Sequence, residues 1–312
     1  MYIVNHRGLF FAITGALLIG AVASILFFGL PLSIDFKGGS LDEVTYTNAR
    51  PELNTIKGYV DQLSLGETSL RESGSSGVVL RSRTLTPEEH IKVLAALSQD
   101  NTLPLTEDRF NSIGPALGAE LGTKALYAIL AVTFAIMLYI AFAFRGVSKP
   151  VPNWGYGIIA VFMLAIDIIV PTGFYAAYCH FTGAEVDSLF VVALLALLGY
   201  CINDVIVIFD RVREHLRTNE HTKFHESFDV TVGKSITETL GRSINTALTV
   251  VIALLALVLL GGGATRNFAL VMIVGVVAGT FSSICRSAPL LIPIANYLGN
   301  KSAAGATSKK KK

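Results

Sequence analysis

Long apolar runs alternate with polar stretches along this chain at a spacing set by a bilayer. Gly8 to Ile34 carries one charge-free stretch after His6 and Arg7. Leu9 to Leu30 within it is long enough to span the hydrocarbon and too long for the core of a cleaved signal peptide. It reads as a first membrane helix and signal anchor. Five further runs, 125–144, 156–178, 188–209, 243–260 and 268–289, predict five more membrane helices. Gly261 to Asn267 predicts a tight Gly-rich turn, and the thirty or so residues ending at Arg242 a basic loop.

Residues 31–123, between the first two runs, have normal globular alternation and could fold alone. Leu32 to Tyr46 has strand-forming residues interrupted by a bend at Gly38-Gly39. Pro51 to Leu63 places Leu53, Ile56, Tyr59, Val60 and Leu63 at helical spacing. Thr68 to Arg71 and Gly77 to Leu85 read as strands around a Ser/Gly turn. Thr86-Pro87-Glu88-Glu89 has the cap, proline and acidic first turn that start a helix, here reaching Ser98. Leu103 to Ile113 supplies a last strand. The order β-α-β-β-α-β is that of a ferredoxin-like α/β sandwich. The fold expected is therefore a polytopic α-helical membrane protein with six transmembrane helices and one extracytoplasmic domain between helices 1 and 2. The divisions are 1–30, 31–123, 124–298 and a basic tail, 299–312.

Composition agrees. The 312 residues are 52% hydrophobic and 15% charged, against about 25% charged in soluble domains. A net charge of +2 gives no reason to expect nucleic acid. Cys179, Cys201 and Cys285 are odd in number and sit in or beside apolar runs, as small buried hydrophobes do. The placement of charge carries orientation. One set of short segments (N-terminus, second and fourth connections, tail) holds fourteen Lys/Arg, and the opposite short connections hold Arg266 alone. By the positive-inside rule both termini are cytoplasmic and the domain, with eight basic and thirteen acidic residues, lies outside. Lys309 to Lys312 are a contact for anionic lipid or a plain solubilising tail. Arg286, near the inner end of helix 6, is placed to snorkel.

Polar residues inside the apolar runs are the candidate chemistry. Asp204 lies in the fourth run, about a turn and a half from its charged end, with Tyr200 one turn before it and Asn203 beside it. A charge at mid-membrane costs at least ~2.5–3.5 kcal/mol, so it needs a reason to be there. Ser235, Thr239, Arg242, Thr246 and Thr249, with Asn245 nearby, follow helical spacing on one face of helix 5. Asp204 and Arg242 make either a proton relay, with Tyr200, Asn203, Asn245, Thr246, Thr249 and Asp167 as a supporting path, or a structural pair locking helices 4 and 5. Burial favours the protonated Asp and a nearby Arg favours the ionised one, so moving the Arg or the water switches the carboxyl. Gly275, Gly279, Ser282 and Ser283 follow the small-xxx-small spacing of close helix packing. No nucleotide loop, metal cluster or nucleophile–base pair stands out, so neither a cofactor nor a hydrolytic site is expected.

Several segments resemble the SecD/SecF family of protein-export membrane subunits, on the side of its smaller member. They are Ile34-Asp35-Phe36-Lys37-Gly38-Gly39-Ser40, similar to the family's DFxGG segment, and Asn111 to Pro115. Gly199-Tyr200-Cys201-Ile202-Asn203-Asp204 with Phe209 to Glu214 is the most specific match, extended by Arg242 to Thr246 and Gly279 to Ile284. The resemblance implies half of a twelve-helix assembly related to proton-driven RND exporters. Its partners would be SecD, the SecYEG channel with its ATPase, and the translocating preprotein, in the cytoplasmic (inner) membrane. It implies Asp204 as the relay carboxylate and Arg242 as the arginine working with it. Asp167 falls where the family often has His-Asp, but Ile166 replaces the His; Cys201 replaces a usual Ser, and Arg286 a usual apolar residue. The alternatives are half of an RND-type small-molecule exporter and a non-transporting scaffold.

Overall fold

The computed structural model describes residues 2–100, 102–144, 151–222 and 226–297. The Arg145–Lys149 connection and the basic tail lie outside them. The chain divides into a helical unit (residues 1–31, 127–184 and 189–312) and a sheet-bearing unit (32–126 and 185–188).

In the sheet-bearing unit, a helical turn α3 (Ile34–Lys37) leads into β1 (Gly39–Tyr46), α4 (Leu53–Asp61), β2 (Ser69–Ser73), β3 (Gly77–Ser82), α5 (Pro87–Leu97) and β4 (Leu105–Ile113). The four strands form one antiparallel sheet in the order β2-β3-β1-β4, with a register shift against β4 between Glu43 and Val44. This is the ferredoxin-like arrangement. Alternate β1 residues Val44 and Tyr46 meet Ile56 and Val60 of α4 and Val93 and Leu97 of α5 in the core. The start of α5 is a complete capping box, Thr86 and Glu89 exchanging hydrogen bonds.

The stretch before Gly39 departs from the strand its residue types predict. Ser33 accepts a hydrogen bond from the Asp35 N–H and turns Ile34–Lys37 helical, and Gly38 ends the turn at φ +79°. A Cβ on Gly38 would lie 2.6 Å from Pro115 Cα, and one on Gly118 2.7 Å from the Gly38 nitrogen. Glycine at both positions lets this turn lie directly on the first turn of α6 (Pro115–Ala143). Asp35 Oδ2 accepts from the Ser188 N–H (2.8 Å) and hydroxyl (2.6 Å), capping the helix that begins there.

The helical unit opens with a short α1 (Tyr2–Asn5) and α2 (Arg7–Phe28). It continues through α6 into α7 (Asn153–Thr182), α8 (Ser188–Thr222), α9 (Phe228–Leu260) and α10 (Gly263–Ser282), the last running into a π-turn at Ser283–Ser287. Six helical segments are long and apolar enough to cross a membrane. Helix length and apolar length differ most at α8 and α9. Among the described residues the expected thirty-residue basic loop is almost entirely helical, because polarity marks where hydrocarbon ends and not where a helix ends. Arg211 pairs with Glu238, His215 lies 3.1 Å from the same carboxylate, and Asn219 donates to the Thr231 hydroxyl at 3.2 Å, so α8 and α9 continue as a paired hairpin. Arg213 donates to the Ala143 carbonyl at the end of α6, where a cation is favoured. The predicted Gly261–Asn267 turn shrinks to Gly261 and Gly262, since α10 starts at Gly263.

Candidate functional site in the helix bundle

Small residues bring the helices of the unit close enough for their polar groups to meet. A Cβ on Gly275 would lie 2.2 Å from Leu197 Cδ1, and one on Gly279 2.3 Å from Cys201 Sγ, so α10 lies on α8 through bare glycine. Gly173 of α7 meets Ala21 of α2 in the same way, and the Ser24 hydroxyl donates to the Gly173 carbonyl at 2.7 Å.

Polar groups from four helices converge around Asp204, which is only 4% exposed. The Thr280 hydroxyl of α10 donates to Asp204 Oδ2 at 3.3 Å. Ser243 of α9 brings close to this carboxylate a buried hydroxyl that makes no hydrogen bond, and Arg242 acts on it only at longer electrostatic range. Tyr200, one turn earlier on α8, buries its hydroxyl beside Thr280 and Asp204. Asp167 of α7 feels Asp204 as well, with the buried Cys201 thiol interacting with both carboxylates. Pro171 has no N–H for the Asp167 carbonyl one turn back, so the backbone of α7 adds an acceptor that lacks its helical partner there.

Asp167 has a cationic partner that sequence reasoning assigned elsewhere. Arg286 Nη2 lies 3.7 Å from Asp167 Oδ1, and both side chains are buried. Arg286 therefore does not snorkel. The π-turn that contains it, spanned by the Ser287 hydroxyl donating to the Ser283 carbonyl, directs it into the bundle. Ser282, beside it, reaches Met163 Sδ of α7 at 3.7 Å.

Other expected members lie outside this cluster. No ion pair joins Asp204 to Arg242 among the described residues, and Arg242 is exposed on the isolated chain. The face of α9 is split: Ser235 and Thr239 are buried, Thr246 is half-buried, and Asn245 and Thr249 are exposed like Arg242. Asn203 points away from Asp204 to the exposed side of α8. Helical spacing joined these residues in sequence, but Arg242, Asn245 and Thr249 lie on the exposed side of α9, while its buried side continues through Ser243 to Leu254. The partners of Thr280, Ser282 and Arg286 were not legible in the sequence, which showed Ser282 only in a packing pattern and Arg286 only as an interfacial arginine, because they sit on α7 and α8, 76 to 119 residues away.

Residues 93–297 match the family described as protein export membrane protein SecD/SecF, C-terminal. The chain belongs to the SecD/SecF family. It is 36% identical over 292 residues to the protein translocase subunit SecF of Anaerolinea thermophila, covering 93% of this chain and 92% of that one. The SecF subunit of Thermobaculum terrenum is 35% identical with the same coverage. Among solved structures, SecDF of Thermus thermophilus, described as a translocon-associated membrane protein, superposes with a TM-score of 0.78 at 30% identity. The match covers 94% of this chain but only 38% of the SecDF chain. A second SecDF structure, in a super-membrane-facing form, gives a TM-score of 0.64 at 28% identity and is spanned to 40% of its length. The chain is thus a multi-pass inner-membrane subunit of SecD/SecF type, an accessory of the Sec translocon. Its sheet domain lies between the first and second membrane helices.

Proposed function

We propose that Asp204 is the proton-carrying group through which this subunit couples the proton motive force to late steps of preprotein export. The observation that carries the reading is the burial of an aspartate among Thr280, Ser243 and Tyr200, with its nearest arginine off to the uncovered side. A static lock would hold Asp204 and Arg242 in contact. Asp167 and Arg286 have that arrangement instead. Each proton crossing supplies ~2.3 kcal/mol per 100 mV, so a few suffice to drive a conformational cycle.

The partner in this reading is SecD, acting with SecYEG and its ATPase on the translocating preprotein. Arg242, Asn245, Thr249 and Asn203 are exposed on helices that cross the membrane, where facing lipid is costly. A second six-helix half covering them removes that cost and brings a further proton path to Arg242. The chain spans 38% of the solved SecDF, which leaves room for such a half.

In this reading both termini are cytoplasmic, with the divisions 1–30, 31–123, 124–298 and 299–312, and the domain outside; the bias of Lys/Arg towards one set of short segments supports it. Arg7 lies 3.8 Å from Asp229, the second residue of α9, at the turn end of the α8–α9 hairpin, so the first helix starts on the arginine-rich side of the bundle.

The test is D204N in cells whose only copy of the subunit is the variant. Proton-dependent export is expected to fail while the variant inserts normally and copurifies with SecD. Normal export by D204N overturns the relay.

A further inference from the structure

We propose that Asp42, His90 and Glu107 form a binding site for a divalent transition-metal ion of the zinc type, three protein ligands with a fourth position open. They come from β1, α5 and β4 of the sheet-bearing unit, far apart in sequence, so no spacing announces them. Asp42 continues the inward series of Val44 and Tyr46, a row that otherwise fills the core. His90 lies one turn before Val93 on the packing face of α5. Glu107 enters from β4 beside the register shift, opposite Val44.

The spacing fits a cation better than it fits hydrogen bonds. His90 Nε2 is 3.4 Å from Asp42 Oδ2 and 3.4 Å from Glu107 Oε1. Zinc bound at about 2.0–2.1 Å to nitrogen and oxygen in a tetrahedron holds its ligands about 3.3–3.4 Å apart. N–H···O bonds peak near 2.9–3.0 Å. All three ligand atoms lie within 4.8 Å of one another.

A second observation points inward to the same spot. The Asp42 side chain is 1% exposed, yet neither carboxylate oxygen has a hydrogen-bond partner, and His90 Nε2 has none either. Burial pushes the Asp42 carboxyl up to about 6, with His90 opposing that shift and Glu107 adding to it. A cation between them removes the cost of that buried charge. The His90 ring is already held in place, stacked on Phe110 with centroids 3.7 Å apart and planes at 17°. Glu107 is 32% exposed and opens one side of the site to an entering ion. One imidazole and two carboxylates suit zinc over calcium or magnesium, which take all-oxygen shells. The ion would tie α5 to β1 and β4 and have no part in hydrolysis.

The experiment uses the full-length chain, purified in detergent without a histidine tag, stripped with EDTA and titrated with zinc chloride against a chromophoric chelator. One equivalent is expected to bind at micromolar concentration or tighter, unaffected by millimolar magnesium or calcium. H90A and, at the half-exposed position, E107Q are each expected to weaken binding on the order of tenfold or more. E107Q keeps the test decisive if H90A unfolds. X-ray absorption should show nitrogen and oxygen at about 2.0–2.1 Å without sulfur, separating this site from Cys179, Cys201 and Cys285. Absence of stoichiometric zinc, unchanged affinity in folded E107Q, or a sulfur shell each overturns the proposal.

Discussion

Asp167 on α7 and Arg286 in the π-turn after α10 face each other at 3.7 Å inside the helix bundle, and both side chains are at most 5% exposed. Arg286 Nε and Nη1 have no hydrogen-bond partner. A buried charge with this little hydrogen bonding depends on its ion pair, so removing one partner should harm more than removing both. D167L is expected to destabilise the chain by ~3–5 kcal/mol, and D167L/R286M to recover much of that. Thermal unfolding in detergent across the double-mutant cycle measures it. Additive losses would mean that the pair does not interact.

Gly279 sits against Cys201 with no room for a methyl group. G279A is expected to cost ~1–3 kcal/mol by pushing α10 off α8. C201A removes the sulfur that blocks the methyl, so C201A/G279A should restore most of the loss. If the double variant is no better than G279A, the tight contact lies elsewhere.

The Asp35 carboxylate satisfies the first N–H of α8 at Ser188. D35A is expected to cost ~1 kcal/mol, as loss of a helix cap does, and to speed hydrogen exchange at residues 188–191. Unchanged exchange there would show that the cap is dispensable.

At the start of α5, the hydrogen bond from Arg83, followed by the Thr86 N–H, holds the Glu89 carboxyl down at about 2. A carboxyl lowered on folding stabilises the fold above its unfolded pKa, near 4.5, and loses that contribution as pH falls towards 2. The thermal stability advantage of wild type over E89Q should therefore be full at pH 6 and shrink steadily below pH 4.5. An advantage independent of pH would assign it to packing.

What the sequence made legible follows from what apolar runs and turn residues encode. Six spans, the β-α-β-β-α-β order and the Thr86 capping box are local patterns, and each appears as a local element. Asp204 stood out because hydrocarbon makes any carboxylate an anomaly. Arg286 stood out for the same reason, but its direction depended on a π-turn that no periodicity signals. The α8 and α9 ends were misjudged because Arg211 and Glu238 support helix in water as well as apolar residues do in lipid. Asp42, His90 and Glu107 were invisible together, since each alone looks like an ordinary polar residue of an α/β domain.

The hairpin beyond Arg211 carries α8 well past Asp204. From Asp204 to the end of α8 at Thr222 is 18 residues of unbroken helix, about 27 Å at 1.5 Å per residue. A tilt of about 10° pivoting at Asp204 would sweep that end through about 5 Å, a distance that a pair of spin labels resolves. Rearrangements around a single buried carboxylate can thus be followed from the water, without placing any probe among the membrane helices.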